Sequence, residues 1–268
     1  MEKTRDSVAT RAFGSKVDFG KAASDYRSFR AGFPPEFFKL LVDKGFVRRG
    51  ERALDLGTGT GTIARGLAQM GLKVTGIDPS AALIAEASAL DQEAGIEVAY
   101  RVETAEHLSE SDCSLDIVTA GQCWHWFDRA KAASEAFRVL KNCGRIVIAH
   151  FDWLPLAGNV VEATENLILE HNPEWSMAGG FGIYPQWMRD LTEASFTNLE
   201  SFSFDTCVAY SHEAWRGRIR ASAGVKASLS SSETELFDAE LSKLLSERFA
   251  VEPLSVPHRV WVATGLKP

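Results

Sequence analysis

Cationic residues are in the minority in this chain: 29 Lys and Arg stand against 36 Asp and Glu, for a net charge of −7 and a sequence pI of about 5.5. A protein held mainly by phosphate contacts needs the opposite balance, so no nucleic-acid partner is expected. Cysteine is scarce. Cys113, Cys123, Cys143 and Cys207 are scattered without a C-x-x-C pair, which argues against a zinc cluster. Free thiols of this kind fit a reducing cytoplasm, the expected location. No apolar run approaches the ~20 residues that cross a bilayer, and the first residues, "MEKTRDSVATRAFGSKVDFGK", lack the apolar centre of a signal peptide. No membrane partner is expected. Internal repeats and low-complexity stretches are absent too, and nothing in the sequence indicates an oligomeric state.

What is present is an alternation. Pro34 and Pro35 open a helix through about Lys44, after a short ordered arm at 21–33. "RALDLG", "KVTGID", "IEVAYRV", "LDIVTAG" and "NCGRIVIAHF" read as strands, with helical segments "GTIARGLAQM", "SAALIAEASALDQE" and "DRAKAASEAFRVL" between them. This rhythm predicts βαβ units and a mostly parallel sheet. After Asp152 it changes. Two helices, at 158–172 and 185–195, flank a Gly/Pro/aromatic loop. A long strand at 198–210, two serine-capped helices and an alternating strand at 258–268 follow. The expected fold is α/β: a doubly wound, mostly parallel seven-stranded sheet, an antiparallel C-terminal strand and a helical lid inserted after the fifth strand. The expected units are an N-terminal arm with the ligand-binding core at 1–152, the inserted substrate lid at 153–195, and the rest of the core at 196–268.

The stretch "LDLGTGTGTIARGLAQMGLKVTGIDPS" (54–80) is the most informative. Gly57, Gly59 and Gly61 fall between a first strand and a first helix, where bare backbone lets a ligand approach closely. A dinucleotide needs G-x-G-x-x-G, with its pyrophosphate at the helix N-terminus. Here the spacing is G-x-G-x-G, and position 62 is threonine. S-adenosyl-L-methionine has no phosphate; it needs glycine backbone beside its amino-acid and ribose portions and an acid at the end of the second strand. Asp78 stands at that place, and Asp55, just before the loop, is counted with the ligand-binding residues, the alternative being an acid that caps the turn. This stretch alone leaves both ligand classes open.

Further motifs carry a resemblance. "LDLGTGTG", "GIDPS", "VETAEHL", "SLDIVTAGQCWHWFD", "AFRVLKNCGRIVI" and the arm "YRSFRAGFP" resemble, in order, segments of the class I SAM-dependent methyltransferases, in particular the small-molecule group typified by the ubiquinone and trans-aconitate enzymes. The resemblance covers about residues 15–152 and implies a Rossmann-like sheet. It implies that Gly57, Thr58 and Gly59 line the methionine portion of the cofactor and that Asp78 accepts from the ribose hydroxyls, with Pro79 against the adenine. Ala105 and Glu106 would lie at the adenine edge, Ala120 and Gln122 near the sulfonium, and Arg30 at the carboxylate. Glu103 and Thr104 depart from the usual Gly-Asp of the third motif, and Asn142 and Cys143 replace a Pro-Gly.

Methyl transfer is an in-line displacement that requires alignment, exclusion of water and an unprotonated nucleophile. His125, in "GQCWHWFD", is the candidate base, because it follows the fourth strand among aromatic neighbours; the alternative is that it only shapes the loop. Tyr26 is a candidate for orienting the acceptor. The inserted segment holds Trp153, Trp175, Phe181, Tyr184 and Trp187, which suit an apolar or planar acceptor or form the lid's own small core. "AGGFGIYP" reads as a hinge. Arg216, Arg218 and Arg220 read as a solvated face or a site for an acidic acceptor. His150, Asp152 and His171 match no metal-ligand spacing, and no metal is expected. The expected function is a SAM-dependent methyltransferase acting on O or N of a small molecule. The alternatives are an enzyme acting on RNA or protein, a non-catalytic SAM-binding protein, and an NAD-dependent oxidoreductase.

Overall fold

A computed structural model describes residues 32–222, 224–225 and 228–268. Seven strands form one sheet: β1 (Arg52–Leu56), β2 (Lys73–Asp78), β3 (Ala99–Val102), β4 (Leu115–Gly121), β5 (Leu140–Trp153), β6 (Thr197–Tyr210) and β7 (Leu254–Leu266). Their order is β3-β2-β1-β4-β5-β7-β6. The pairs from β3 to β5 are parallel, and β7 runs antiparallel between β5 and β6. The chain reverses its direction of travel across the sheet between β3 and β4, leaving a crevice beyond the carboxyl ends of β1 and β4. Ligands of doubly wound sheets bind at such a switch point.

Eight α-helices are described: α1 (Pro35–Asp43), α2 (Thr62–Gln69), α3 (Ala81–Ala94), α4 (Arg129–Val139), α5 (Val160–His171), α6 (Gln186–Glu193), α7 (His212–Arg220) and α8 (Ser231–Arg248). Alternation along β1 decides the two faces. Ala53 points to the side where Phe37 and Leu41 of α1 and Ile63 and Leu67 of α2 pack. Leu54 and Leu56 belong to the core shared with Ala132 and Ala136 of α4 and Trp187 and Leu191 of α6. A third core joins α5, α7 and α8 around Trp215, Phe237 and Val256. The helical segment inserted after β5 is thus divided, with α5 in the third core and α6 against the sheet.

Three boundaries differ from the sequence reading. β3 starts at Ala99 because Ile96 is taken up by the end of α3: its N–H reaches the Asp91 carbonyl while Gly95, at φ +65°, turns the chain. The expected glycine turn before β5 is instead an irregularity within the strand. Leu115 pairs with Leu140 and Ile117 with Arg145, and the looped-out Cys143 donates to the Lys267 carbonyl. β7 starts at Leu254, ahead of the expected 258, with Pro257 inside it. No helix among the described residues is long and apolar enough to cross a membrane.

Candidate cofactor and acceptor site

The glycine loop is built from below. Asp55 is only 2% exposed, and its two carboxylate oxygens accept from the hydroxyls of Thr58 and Thr119, each at 2.7 Å. Burial pushes its carboxyl up to about 6, against the pull of those two hydroxyls. Asp55 thus orders the loop from beneath. Gly57 (φ +57°) and Gly59 (φ +55°) both take the left-handed conformation, and their surroundings differ. A Cβ on Gly57 would fall 2.9 Å from Cys123 Cβ and 3.0 Å from Phe127 Cζ, whereas a Cβ on Gly59 would meet nothing within 4 Å. Gly57 is bare for packing; Gly59 is bare toward open space.

Asp78 ends β2 beside that space. Its Oδ2 accepts from the Gly59 N–H at 3.0 Å and its Oδ1 from Ser80 N–H at 2.9 Å. Burial raises its pKa against those two donors. Each oxygen keeps a lone pair for a further donor. Pro79 is exposed, and Val102, paired in register with Asp78, is 59% exposed. Sequence reading missed Val102; its one signal is an apolar residue at the carboxyl end of a strand.

Tyr100 was also missed. Its ring fills the space a side chain would need at Gly76, and its hydroxyl would lie 2.3 Å from a Cβ on Gly61. The hydroxyl donates to buried Asp91 at 2.8 Å, and Asp91 also holds Arg65 of α2. Two glycines of the motif therefore serve a tyrosine wedge.

The other expected cofactor residues divide. Ala105 and Ala120 are buried. Ala120, near the end of β4, is at 0% exposure and belongs to the core. Glu106 accepts from the Asp128 N–H at 2.9 Å, which turns its carboxylate toward the start of α4. Gln122 sits at φ +58°, unusual for a residue with a side chain, and donates to the Phe151 carbonyl at 2.9 Å. It anchors the exit from β4. Tyr26 and Arg30 lie outside the described residues.

That exit leads into a 3-10 turn, Trp124–Trp126, which carries His125. Trp124 is fully buried, and its indole N–H donates to Asp190 of α6 at 2.9 Å, which fixes the turn. His125 is half-buried, 5.4 Å ring to ring from His150 of β5. His150 Nδ1 lies 2.9 Å from Asp152 Oδ1, and the Tyr184 hydroxyl donates to Asp152 Oδ2. Burial alone would raise Asp152; His150, Tyr184 and His125 around it together hold it below the ordinary range. Burial and Asp152 push the Tyr184 phenol well up. His171, grouped with His150 and Asp152 in the sequence reading, instead meets Glu240 of α8.

The aromatic residues of the inserted segment do not form one core. Tyr184 and Trp187 stack at 4.3 Å against Trp261, Trp153 packs on Trp215, and Phe181 is 80% exposed. Arg216 and Arg220 share Asp238 of α8, while Arg218 turns inward over the Trp153 ring at 4.7 Å.

Residues 54–148 match the methyltransferase domain family. An uncharacterised methyltransferase of Mycobacterium tuberculosis is 35% identical over 131 residues, 48% of this chain and 50% of the relative. A ubiquinone biosynthesis O-methyltransferase of Agrobacterium fabrum is 44% identical over 42% of this chain and 52% of the relative. The chain spans about half the length of these curated relatives. Among solved structures, phosphoethanolamine N-methyltransferase 2 of Haemonchus contortus, in complex with phosphomonomethylethanolamine and S-adenosylhomocysteine, is similar in fold. Its TM-score is 0.57 at 21% identity, over 95% of this chain and 60% of that one. The glycine loop, the acid after β2 and the turn after β4 all lie inside the segment that matches the methyltransferase domain family, and that segment is set in this sheet.

Proposed function

We propose that the chain transfers a methyl group from S-adenosyl-L-methionine to an oxygen or nitrogen of a small molecule. The observation that carries this reading is the open cradle over Gly59, with Asp78 bonded to the same residue's N–H. A bare backbone facing space beside a half-used carboxylate fits an amino-acid portion next to a ribose diol. The bound sulfonium supplies a methyl carbon already activated for displacement. The protein's part is to hold donor and acceptor in line and keep water out. Gly57, Thr58 and Gly59 present backbone to the methionine portion, Asp78 takes the ribose hydroxyls, and Pro79 with Val102 flanks the adenine. The backbone N–H of Ala105 remains available to the base. On the acceptor side, His125 is the base, set on a turn that buried Trp124 holds in place.

Calorimetric titration of the purified full chain tests this. S-adenosylhomocysteine should bind and NAD should not. At ligand about 100-fold above Kd, the stabilisation is about 2.7 kcal/mol. Gly59→Asn, a residue that tolerates the left-handed φ of +55°, should weaken binding at least about tenfold while unfolding remains cooperative, because its side chain enters the open space over the loop. Binding of NAD alone would overturn the assignment.

A further inference from the structure

β5 outruns β4. Ala149 pairs with Gly121 at the end of β4, and His150 to Trp153 pair only with β7. His150 and Asp152 stand on the same face of this overhang, since side chains alternate along a strand. His150 is 5% exposed. Its Nδ1 reaches Asp152 Oδ1 at 2.9 Å but at a poor angle for a hydrogen bond, and its Nε2 has no hydrogen-bond partner among the described residues. A buried polar nitrogen left this way is rare where a side chain serves packing alone. The His125 ring lies 5.4 Å away with Trp126 packed on it, while Tyr184 and Trp187 pack on the His150 ring. Two imidazoles thus share the neighbourhood of one carboxylate at the acceptor end of the sheet.

We propose that His125, His150 and Asp152 form a single proton-holding unit in which Asp152, through His150, sets when His125 is available as a base. The unit rests on the methyltransferase reading and suits an acceptor oxygen that carries a proton. In the step it serves, the acceptor O–H proton passes to His125. The oxygen forms the new bond to the methyl carbon, and the S–CH3 bond breaks with its electron pair going to sulfur, which neutralises the sulfonium. The imidazolium left behind faces the charge of Asp152 and later gives its proton to solvent. His150 and Asp152 act through His125 and are positioning residues. A second proton on the neighbouring ring meets a like charge, so the two rings take up their protons in separated, coupled steps. The other titratable groups that face the unit are Tyr184 ahead of α6, Arg218 of α7, His258 of β7 and Glu165 of α5, all of which interact with Asp152. Asp190 of α6 and Arg129 of α4 bracket the turn itself.

The test is NMR titration of the histidine ring C–H signals in the full chain, which has six histidines. In the wild type, His125 should titrate in two steps coupled to His150. His150→Gln should reduce it to one step. Asp152→Asn should lower its midpoint by about one pH unit, and Asp152→Glu, which restores the charge, should return it. His171, against Glu240, should not move and so reports an intact fold. Single-site curves in the wild type, or a His125 midpoint unchanged in Asp152→Asn, would overturn the proposal. Should Asp152→Asn fail to fold, the wild-type and His150→Gln curves still decide it. S-adenosylhomocysteine binding is measured separately. Its absence would count against the methyltransferase reading and leave the titration result standing.

Discussion

Asp55 and His258 respond to pH in opposite directions. The Asp55 carboxyl is raised from 3.8 to about 6 by burial, so between those values the folded chain holds a proton that the unfolded chain has released, and stability falls as pH rises. Burial lowers His258 from 6.5 to about 4, so across that window the unfolded chain binds the extra proton and stability rises with pH. Each effect is on the order of 3 kcal/mol, and the two windows overlap, so they largely cancel in the wild type. Asp55→Asn should therefore steepen the rise in stability between about pH 4 and 6.5. His258→Gln, which keeps a donor for the Val256 carbonyl, should replace it with a fall. Denaturant unfolding across pH measures both; parallel curves for wild type and Asp55→Asn would refute the assignment. At this scale the sequence was only partly legible. Gly59 and Asp78 were visible because a motif places them. Tyr100, Val102 and the Asp152–His150 pair were not, because what they do depends on partners brought together by the sheet rather than by spacing.

The helices were legible where caps and apolar spacing agree. Ser230 caps α8 by accepting from the Glu233 N–H, and the Glu233 carboxylate returns the bond to the Ser230 N–H. Ser230→Ala should cost about 1 kcal/mol in chemical denaturation. Ser230→Asp should retain most of that, and no loss in the alanine variant would mean that the first turn of α8 contributes nothing to global stability. Strand ends were less legible. Ile96 has the composition of a strand residue, yet the turn at Gly95 claims its N–H. Pro257 discourages an early start for β7, but the strand tolerates it where it pairs with β6 alone, since pairing with β5 begins at His258. At 141–144 the local signal for a turn was correct in kind, and the pairing on either side converted it into a looped-out strand.

For the whole molecule, the division into three cores carries its own expectation. The two cores that flank the sheet share the strands β1, β4 and β5, while the third is mostly helix on helix. Amides of α5, α7 and α8 should exchange through an opening of lower free energy than those of the central strands, measured by native-state hydrogen exchange under rising denaturant. Equal opening energies throughout would show one cooperative unit instead. The mostly parallel sheet was readable from the rhythm of strands and helices. The sharing of the inserted helices between cores was not, since apolar spacing says that a face is buried but not against what.

The overhang of β5 lies across the edge of the matched segment. The match to the methyltransferase domain family ends at residue 148, and His150 follows within the same strand. One continuous ribbon of backbone therefore runs from the matched segment to residues that lie beyond it. Because the second part pairs as a strand only with β7, the far end of the chain supplies its strand neighbour. Substitutions in β7 can then shift His150 and Asp152 while leaving the glycine loop as it is.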